Sequence, residues 1–475
     1  MQTAIDLFHY IQERLGVSAV TIALIVILGL CFGLPAGRVV RAAFAAGVGF
    51  VGLGLLLGAL ENALVPAVQA IAENSGLSPG VVDVGEAPFA ALVSASEIGA
   101  LILPIGIAVN LLMLATNTTR TINIDFPGYR YFAYTGVMVQ RASGSLPLGL
   151  AAAALNTVIV TVIADKAAPG LKKSTGLRGV SMPHGFAAAF VPVAFVANRF
   201  VEYLPGLNRP KADMDRIRER LGVLGEPAPL GFALGFVIAL AAGLGAAPVP
   251  DLIADALTAA VQTAAAFALA PKLLSFLMEG IHPLADAAGD FMRKHCKNRS
   301  AVYIGPDAVC WLGHPLVLTC TPILTLLSVF LAVILPGNRM LPFAGLAFIP
   351  YILAAVLPIT GGAFFRSLLV GALTTAFMLY CGSGMAALFM NAVTDAGLEA
   401  YVNQTADFVS IQGANPLTWA VAALGGLQRL GIAILTVIAA GLALQNRRSI
   451  LKAAKNPAGR RASAEEAPSE SGEPS

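Results

Sequence analysis

The sequence predicts an all-α polytopic membrane protein with about ten to eleven transmembrane helices. Three observations predict it. Only 12% of the 475 residues are charged, about half the quarter that a soluble domain uses to keep its surface wetted. Hydrophobic residues make up 57% of the chain, and the mean hydropathy is +0.77. Apolar runs near the roughly 20-residue length of a membrane-crossing helix recur throughout.

In order, the runs are Val17–Leu34, Ala42–Leu60, Ile98–Ala115, Leu146–Ala164, Pro229–Ala247, Ala256–Leu274, Leu316–Leu335, Leu341–Leu357, Leu368–Met390 and Trp419–Leu444. They are uniformly apolar and rich in Ala, Leu, Val and Gly, without the alternation of a transmembrane β-strand, which excludes a barrel. Met1–Gly16 carries Asp6, Glu13 and Arg14, and no small-residue cleavage pattern follows the first run. That run is read as a retained span rather than a signal peptide. The cysteines (Cys31, Cys296, Cys310, Cys320 and Cys381) are scattered, with neither metal-ligand spacing nor a disulfide framework. No cofactor or nucleic-acid partner is expected.

Charge orients the chain. Ala42–Thr119 and Ser367–Gln428 contain no Lys or Arg. Basic residues gather instead in Arg120–Arg141, Lys166–Arg178, Arg209–Arg220, Arg293–Arg299 and Arg447–Arg461. The positive-inside rule assigns these clusters, and the C-terminus, to the cytoplasm. Residues 1–461 form one permease-like body, and Ala462–Ser475, rich in Ser, Glu and Pro, reads as a disordered cytoplasmic tail. Arg209–Arg220 mixes signs at helical spacing and reads as a short surface helix.

A faint internal repeat runs through the chain. Glu61 and Glu279 each close an apolar run, and Ser143-Gly144 and Gly361-Gly362 each precede one, both pairs at an offset of 218 residues (279 − 61; 362 − 144). Ser78–Ser96 and Ala301–Gly313, at equivalent places in the two halves, are broken by Gly and Pro and carry Asp83, Glu86 and Asp307. Irregular backbone at membrane depth is tolerated only inside protein or beside a water-filled cavity, so both are read as re-entrant hairpins framing a substrate cavity.

Polar groups within apolar stretches are costly and point to function. His184 stands in Ser181-Met182-Pro183-His184-Gly185, where Pro and Gly free the backbone beside an imidazole. Asp307 and His314 flank a short apolar segment beside Pro306, Gly313 and Pro315. Gln140 and Ser143-Gly144-Ser145 face Thr360-Gly361-Gly362 and Arg366 across the repeat, a set of amides, hydroxyls and open backbone suited to a polyol. Arg366 either joins that set or snorkels to the interface. Glu226, before Pro227, either accepts from sugar hydroxyls or stabilises the positive end of the following helix. Cys381-Gly382-Ser383-Gly384 lacks the Lys-Ser/Thr ending of a P-loop and lies inside an apolar run, so the chain does not itself hydrolyse ATP.

Taken together and in order, Gly49–Gly58, Val81-Val82-Asp83-Val84-Gly85, Thr135-Gly136, Ser181–Gly185, Gly225-Glu226-Pro227 with Gly231-Phe232, Asp307 with Leu312-Gly313-His314, Pro336-Gly337-Asn338 with Leu341-Pro342-Phe343, and Phe365-Arg366 resemble the galactitol permease IIC subunits of the bacterial phosphotransferase system. The resemblance covers about residues 20–450. It implies a relationship to the ascorbate permease IIC: a homodimer in the inner membrane, with a core domain, a V-shaped domain and two inverted repeats. It implies a sugar or polyol bound in the core, moved by an elevator-like shift and phosphorylated by a separate IIB phosphocysteine, itself recharged through IIA, HPr and enzyme I. No catalytic phosphoryl-transfer residue is then expected on this chain. By the same resemblance Gln140, His184, Asp307, Gly361 and Gly362 contact substrate, with Glu226, His314 and Arg366 as further candidates. The chain departs from the pattern where Glu86–Val93 lacks Trp and Ser, where Glu97 stands for Gln and where Gln140 stands for His. These departures leave open galactitol, another pentitol or hexitol, or an acidic sugar derivative. Two other functions fit the same residues: an ion-coupled secondary transporter relaying protons through Glu226, Asp307 and His314, and a non-transporting membrane scaffold.

Overall fold

A computed structural model describes residues 22–23, 25–74, 80–203, 222, 226–243, 248–295, 302–342, 344–401 and 407–455. Met1–Gly16, the expected surface helix Arg209–Arg220, Cys296 and the tail Ala462–Ser475 lie outside them. The order of elements is α1 (Ala36–Asn74), β1 (Val81–Asp83), α2 (Glu86–Ser94), α3 (Glu97–Ala115), β2 (Thr121–Asn123), α4 (Phe126–Ser143), α5 (Leu146–Thr175) and α6 (Ala187–Tyr203). Then come α7 (Pro227–Gly243), α8 (Val249–His295), β3 (Tyr303–Gly305), α9 (Val309–Leu312), α10 (Pro315–Ile334) and β4 (Met340–Leu341). The chain closes with α11 (Ile349–Thr360), α12 (Phe364–Asp395), β5 (Asp407–Val409), α13 (Pro416–Gly425) and α14 (Gln428–Lys455).

Among the described residues seven helical stretches are long and apolar enough to cross a membrane: Ala36–Leu64, Glu97–Ala115, Leu146–Thr175, Val249–Ala288, Pro315–Ile334, Phe364–Asp395 and Gln428–Ala454. Large apolar side chains cover their outer faces, with Phe44, Leu55, Leu112 and Val437 each more than half exposed. Such a surface is stable against lipid and not against water.

Of the expected spans, Val17–Leu34 lies partly outside the described residues, Pro229–Ala247 corresponds to the shorter apolar helix α7, and two others take another form. Leu341–Leu357 becomes a strand end, a 3-10 turn over Leu346–Phe348 and the short helix α11, because Pro342, Gly345 and Pro350 interrupt it. Trp419–Leu444 is divided between α13 and α14, with Gln428, the first residue of α14, at φ 52°. The polar stretch Arg120–Arg141, in turn, contains a helix, α4, whose Tyr131, Phe132, Ala133 and Tyr134 are 0–1% exposed. Tyrosine, glycine and arginine lower its hydropathy without preventing burial.

Helix starts follow local chemistry. Asp125, Ser96 and Asn415 cap α4, α3 and α13 by accepting from Gly128, Gly99 and Thr418 N–H at 2.8–2.9 Å, and proline occupies the first turn of α4, α5, α10, α11 and α13. Helices α4 and α11 end on Gly144 (φ 69°) and Gly361 (φ 65°), both left-handed.

The helices form two groups. Helices α1, α7 and α8 pack chiefly on one another, while α4–α6 and α11–α14 pack around a second centre, with α9 and α10 between. In the first group α1 and α8 approach to backbone contact: a Cβ on Gly49 would lie 2.4 Å from Leu277 N, and one on Gly280 2.3 Å from Ala42 O.

Among the described residues five short strands sit inside the second group, all in parallel pairs. Strand β1 lies between β4 and β5, with Val81 opposite Met340 and Asp407. Strand β3 lies between β2 and the single bridging residue Val180, with Ile304 opposite Ile122 and Val180. Both expected hairpins are thus a strand followed by a short helix, β1–α2 and β3–α9. Two buried carboxylates tie the crossings. Asp83 accepts from Gly85, Ile411 and Gly345 N–H at 3.1, 2.9 and 2.6 Å. Asp165 accepts from the Thr119 and Thr121 hydroxyls, Arg120 N–H and the Asn446 amide at 2.6–2.9 Å.

Asp83→Ala strands three backbone donors that are held in the core and is expected to cost on the order of 3 kcal/mol, with Asp83→Asn costing less because its amide oxygen still accepts. Thermal unfolding of the purified proteins in detergent checks this; an unshifted midpoint for Asp83→Ala would remove Asp83 from its structural role. Gly280→Leu is expected to separate α1 from α8 and lower the midpoint further than Gly58→Leu, where a Cβ meets nothing within 4 Å.

Candidate functional site

Parallel pairing dictates where the site forms. Strands that run side by side in the same direction deliver the residues after them to the same place. Asp125 follows β2 by two residues, Asp307 follows β3 by two, and His184 follows Val180 by four. All three side chains are buried, and they offer oxygen or nitrogen atoms within 4.8 Å of one another.

Each is held from behind by the turn it begins. Asp125 Oδ1 accepts from Gly128 N–H at 2.8 Å, Asp307 Oδ1 from Val309 N–H at 2.9 Å, and His184 Nδ1 from Ala187 N–H at 3.2 Å. The last bond decides the tautomer. With Nδ1 accepting, a neutral ring carries its proton on Nε2, which faces Asp307 Oδ1 at 3.8 Å. That is too long for a direct hydrogen bond. It also leaves Nε2 without a lone pair, so the cluster does not fit a metal ion through His184. The Tyr131 and Tyr351 rings pack on the imidazole at 4.9 and 5.2 Å between centroids and fix its plane. Asp125 Oδ2 and the Tyr131 hydroxyl have no hydrogen-bond partner among the described residues.

All three groups lie in connections outside the seven long apolar helices. Burial, helped by the Arg130 guanidinium, pushes the His184 imidazole down to about 3, so the ring is neutral. Burial pushes Asp307 up to about 6 against the opposing Val309 N–H and Arg130. Burial and the neighbouring Asp307 hold Asp125 well above the usual carboxylate range. Arg130 itself pairs with Glu86 of α2 at 2.5 Å. The result is a neutral donor beside carboxyl acceptors between aromatic walls, which suits a hydroxyl that accepts from one and donates to the other.

Of the residues singled out from the sequence, the fold brings His184 and Asp307 together. Gln140 lies nine residues beyond Tyr131 on α4, about 13 Å along the axis, half-buried, with its carbonyl accepting from Gly144 N–H at 2.8 Å. Gly361 and Gly362 (φ 65° and 87°) form the turn at the far end of α11 from Tyr351, and a Cβ at either meets nothing within 4 Å. Arg366 is held by Asn198 Oδ1 at 2.5 Å and by Glu202, both on α6. His314 caps α10, its Nδ1 accepting from Leu316 N–H at 3.2 Å. The Glu226 side chain is exposed, and its carbonyl accepts from Leu230 N–H at the start of α7. Asp125, Arg130, Tyr131 and Tyr351 were not singled out; Asp125 sits among the arginines of Arg120–Arg141, and its cap position before Phe126-Pro127 was the available signal.

Comparison with known proteins bears on what such a site serves. The model of the EIIC-GAT family, described as the PTS system sugar-specific permease component, matches residues 15–407. A putative permease IIC component of Escherichia coli K12 is 31% identical over 438 residues, covering 92% of this chain and 98% of that protein. The galactitol-specific EIIC components of Escherichia coli K12 and O157:H7 are each 32% identical over 414 residues, covering 87% of this chain and 89% of theirs. Group translocation therefore stands over the ion-coupled transporter and the scaffold: the chain belongs to the EIIC-GAT family, the membrane-embedded sugar-specific permease components of the phosphotransferase system.

Proposed function

We propose that this permease carries galactitol or a closely similar uncharged polyol, bound at His184 and Asp307. The observation that carries the reading is the 3.8 Å between His184 Nε2 and Asp307 Oδ1. A donor and an acceptor at that spacing, each fixed from behind and neither satisfied by the other, are bridged by one hydroxyl. The galactitol-specific names of two relatives support the substrate class.

The substrate moves with the second helix group, the core, against a scaffold built on α1 and α8. In support, Asp307 opens onto a crevice walled by Phe50 and Leu277 of the scaffold and by Ile124 and Pro127 of the core. Inverted repeats account for the strand exchange: β1 corresponds to β3, β2 to β4 and Val180 to β5, so each central strand pairs with elements of the opposite half. Gly144 and Gly361, one residue off the 218-residue offset, end α4 and α11 in the same left-handed backbone. The strand-and-helix units β1–α2 and β3–α9 are the re-entrant hairpins, and with them about ten spans are completed by the shorter apolar helices. Residues 1–461 are the permease body, homodimeric in the bacterial inner membrane with its C-terminus in the cytoplasm, as the basic run Arg447–Arg461 supports.

Phosphoryl chemistry belongs to the phosphorylated IIB subunit, loaded through IIA, HPr and enzyme I. This chain orients and desolvates the hydroxyl, and the phosphorylated product, repelled by Asp307, does not rebind. Gln140, Gly361 and Gly362 line the route at the far ends of the tyrosine-bearing helices, with Glu226, His314 and Arg366 as further contacts or supports.

Asp307→Ala is expected to lower galactitol uptake in cells by roughly 10- to 100-fold at unchanged membrane expression. His184→Gln, which keeps a side-chain N–H, is expected to retain more uptake than His184→Ala. Radiolabelled uptake with intact IIA and IIB measures both, and wild-type uptake by Asp307→Ala would remove that residue from the site.

A further inference from the structure

Asp125 and Asp307 place two buried carboxyl groups within 4.8 Å of each other and of His184. Two negative charges at that distance, out of water, repel strongly unless a cation or a proton intervenes. The surrounding elements supply little compensation. His184, before α6, is neutral. Tyr129 and Tyr131 of α4 and Cys310 of α9 keep their protons, pushed above their ordinary range by burial, and Tyr351 of α11 contributes an uncharged phenol ring against His184. Arg130 of α4 is the cation that faces the pair, and Glu86 of α2 already binds its guanidinium.

We propose that Asp125 and Asp307 work as a dyad sharing one proton, held on Asp125, and that this makes Asp125 a specificity-determining donor to a hydroxyl of an uncharged substrate. The geometry assigns the proton. Asp125 is 0% exposed and its Oδ2 has no partner among the described residues. Its other oxygen caps α4 through Gly128 N–H, a task the carbonyl oxygen of a neutral carboxyl performs as well. Asp307 likewise accepts one backbone N–H, from Val309, so these bonds do not separate the two groups; what does is that Asp307, 8% exposed, borders the crevice beside Pro306 and Cys310, where its charge is better solvated. The directions of both groups agree: Asp125 stays well above the usual range, and Asp307 reaches only about 6.

The site then offers two donors, Asp125 Oδ2–H and His184 Nε2–H, and one carboxylate acceptor. That balance takes a neutral polyol and disfavours an anion. The singly protonated dyad is lost as pH rises through its upper ionisation, a second negative charge appears, and polyol affinity falls by about tenfold per pH unit beyond that point.

This assignment rests on the substrate site proposed above, so its test has one arm free of ligand. Infrared difference spectra of the purified full-length chain, wild type against Asp125→Asn at neutral pH, are expected to show a carboxylic-acid carbonyl band that the variant lacks and that alkali removes. Absence of that band overturns the proposal whether or not galactitol binds. In the second arm, galactitol titrations between acid and alkaline pH are expected to fall for wild type. Asp125→Asn, which keeps a donor and the helix cap, is expected to bind within about fivefold of wild type with a flattened pH profile, and Asp125→Ala to bind roughly tenfold or more weakly. An Asp125→Asn variant as weak as Asp125→Ala, with the wild-type pH slope, means an ionised Asp125 and also overturns it. Failure of galactitol to bind any of the proteins falls on the substrate reading, while the infrared band still decides the proton.

Discussion

Where Gly85, Gly345 and Ile411 meet, three backbone N–H groups converge in an apolar interior, and the Asp83 carboxylate accepts from all of them. Chain breaks inside a lipid-facing body are unstable unless such groups find acceptors. Asp83 supplies them for the β4-β1-β5 crossing, and Asp165 performs the matching service beside β2, where it gathers Thr119, Arg120, Thr121 and Asn446. With both crossings fixed, the direction of each short strand is fixed, and so is the point to which the segments after β2, β3 and Val180 are delivered. The cluster of His184, Asp125 and Asp307, the proposed substrate site, is a consequence of that convergence.

Much of the fold was legible because lipid exposure writes long apolar runs into a sequence. Leu146–Ala164 and Leu368–Met390 fall within α5 and α12, and Leu316–Leu335 coincides with α10 up to its C-cap, Leu335. Legibility ended where burial was by protein rather than by lipid. Helix α4 carries Tyr129, Arg130, Tyr131 and Tyr134 yet lies at the centre, since protein neighbours tolerate polar edges that lipid does not. The break at Leu341–Leu357 depends on Pro342, Gly345 and Pro350, residues that also occur within continuous membrane helices, as Pro322 does in α10. Hydropathy alone does not separate the two cases.

The site shows the same division. His184 and Asp307 stood out because each interrupts an apolar stretch beside Pro or Gly, and these are the two that the fold places face to face. Asp125 did not, because Arg120, Arg130 and Arg141 made its surroundings read as a cytoplasmic connection. Its capping bond to Gly128 was foreseeable from Asp125-Phe126-Pro127, but its nearness to Asp307 was not. That nearness depends on the register in which Asn123 lies opposite Gly305, a pairing of residues far apart in the chain.

The strand order also constrains how the protein is made. Val81–Asp83 leaves the ribosome long before Met340, its first neighbour, is synthesised, a delay of roughly 10–50 s at about 5–20 residues per second. Its second neighbour, Asp407–Val409, comes later still. Throughout that interval a nascent chain holds an unmatched strand and a carboxylate whose amide donors do not yet exist. Biogenesis therefore proceeds by storing early helices in the bilayer and closing the centre last, and a chain cut short before its final third would be a membrane-inserted intermediate exposed to quality-control proteolysis.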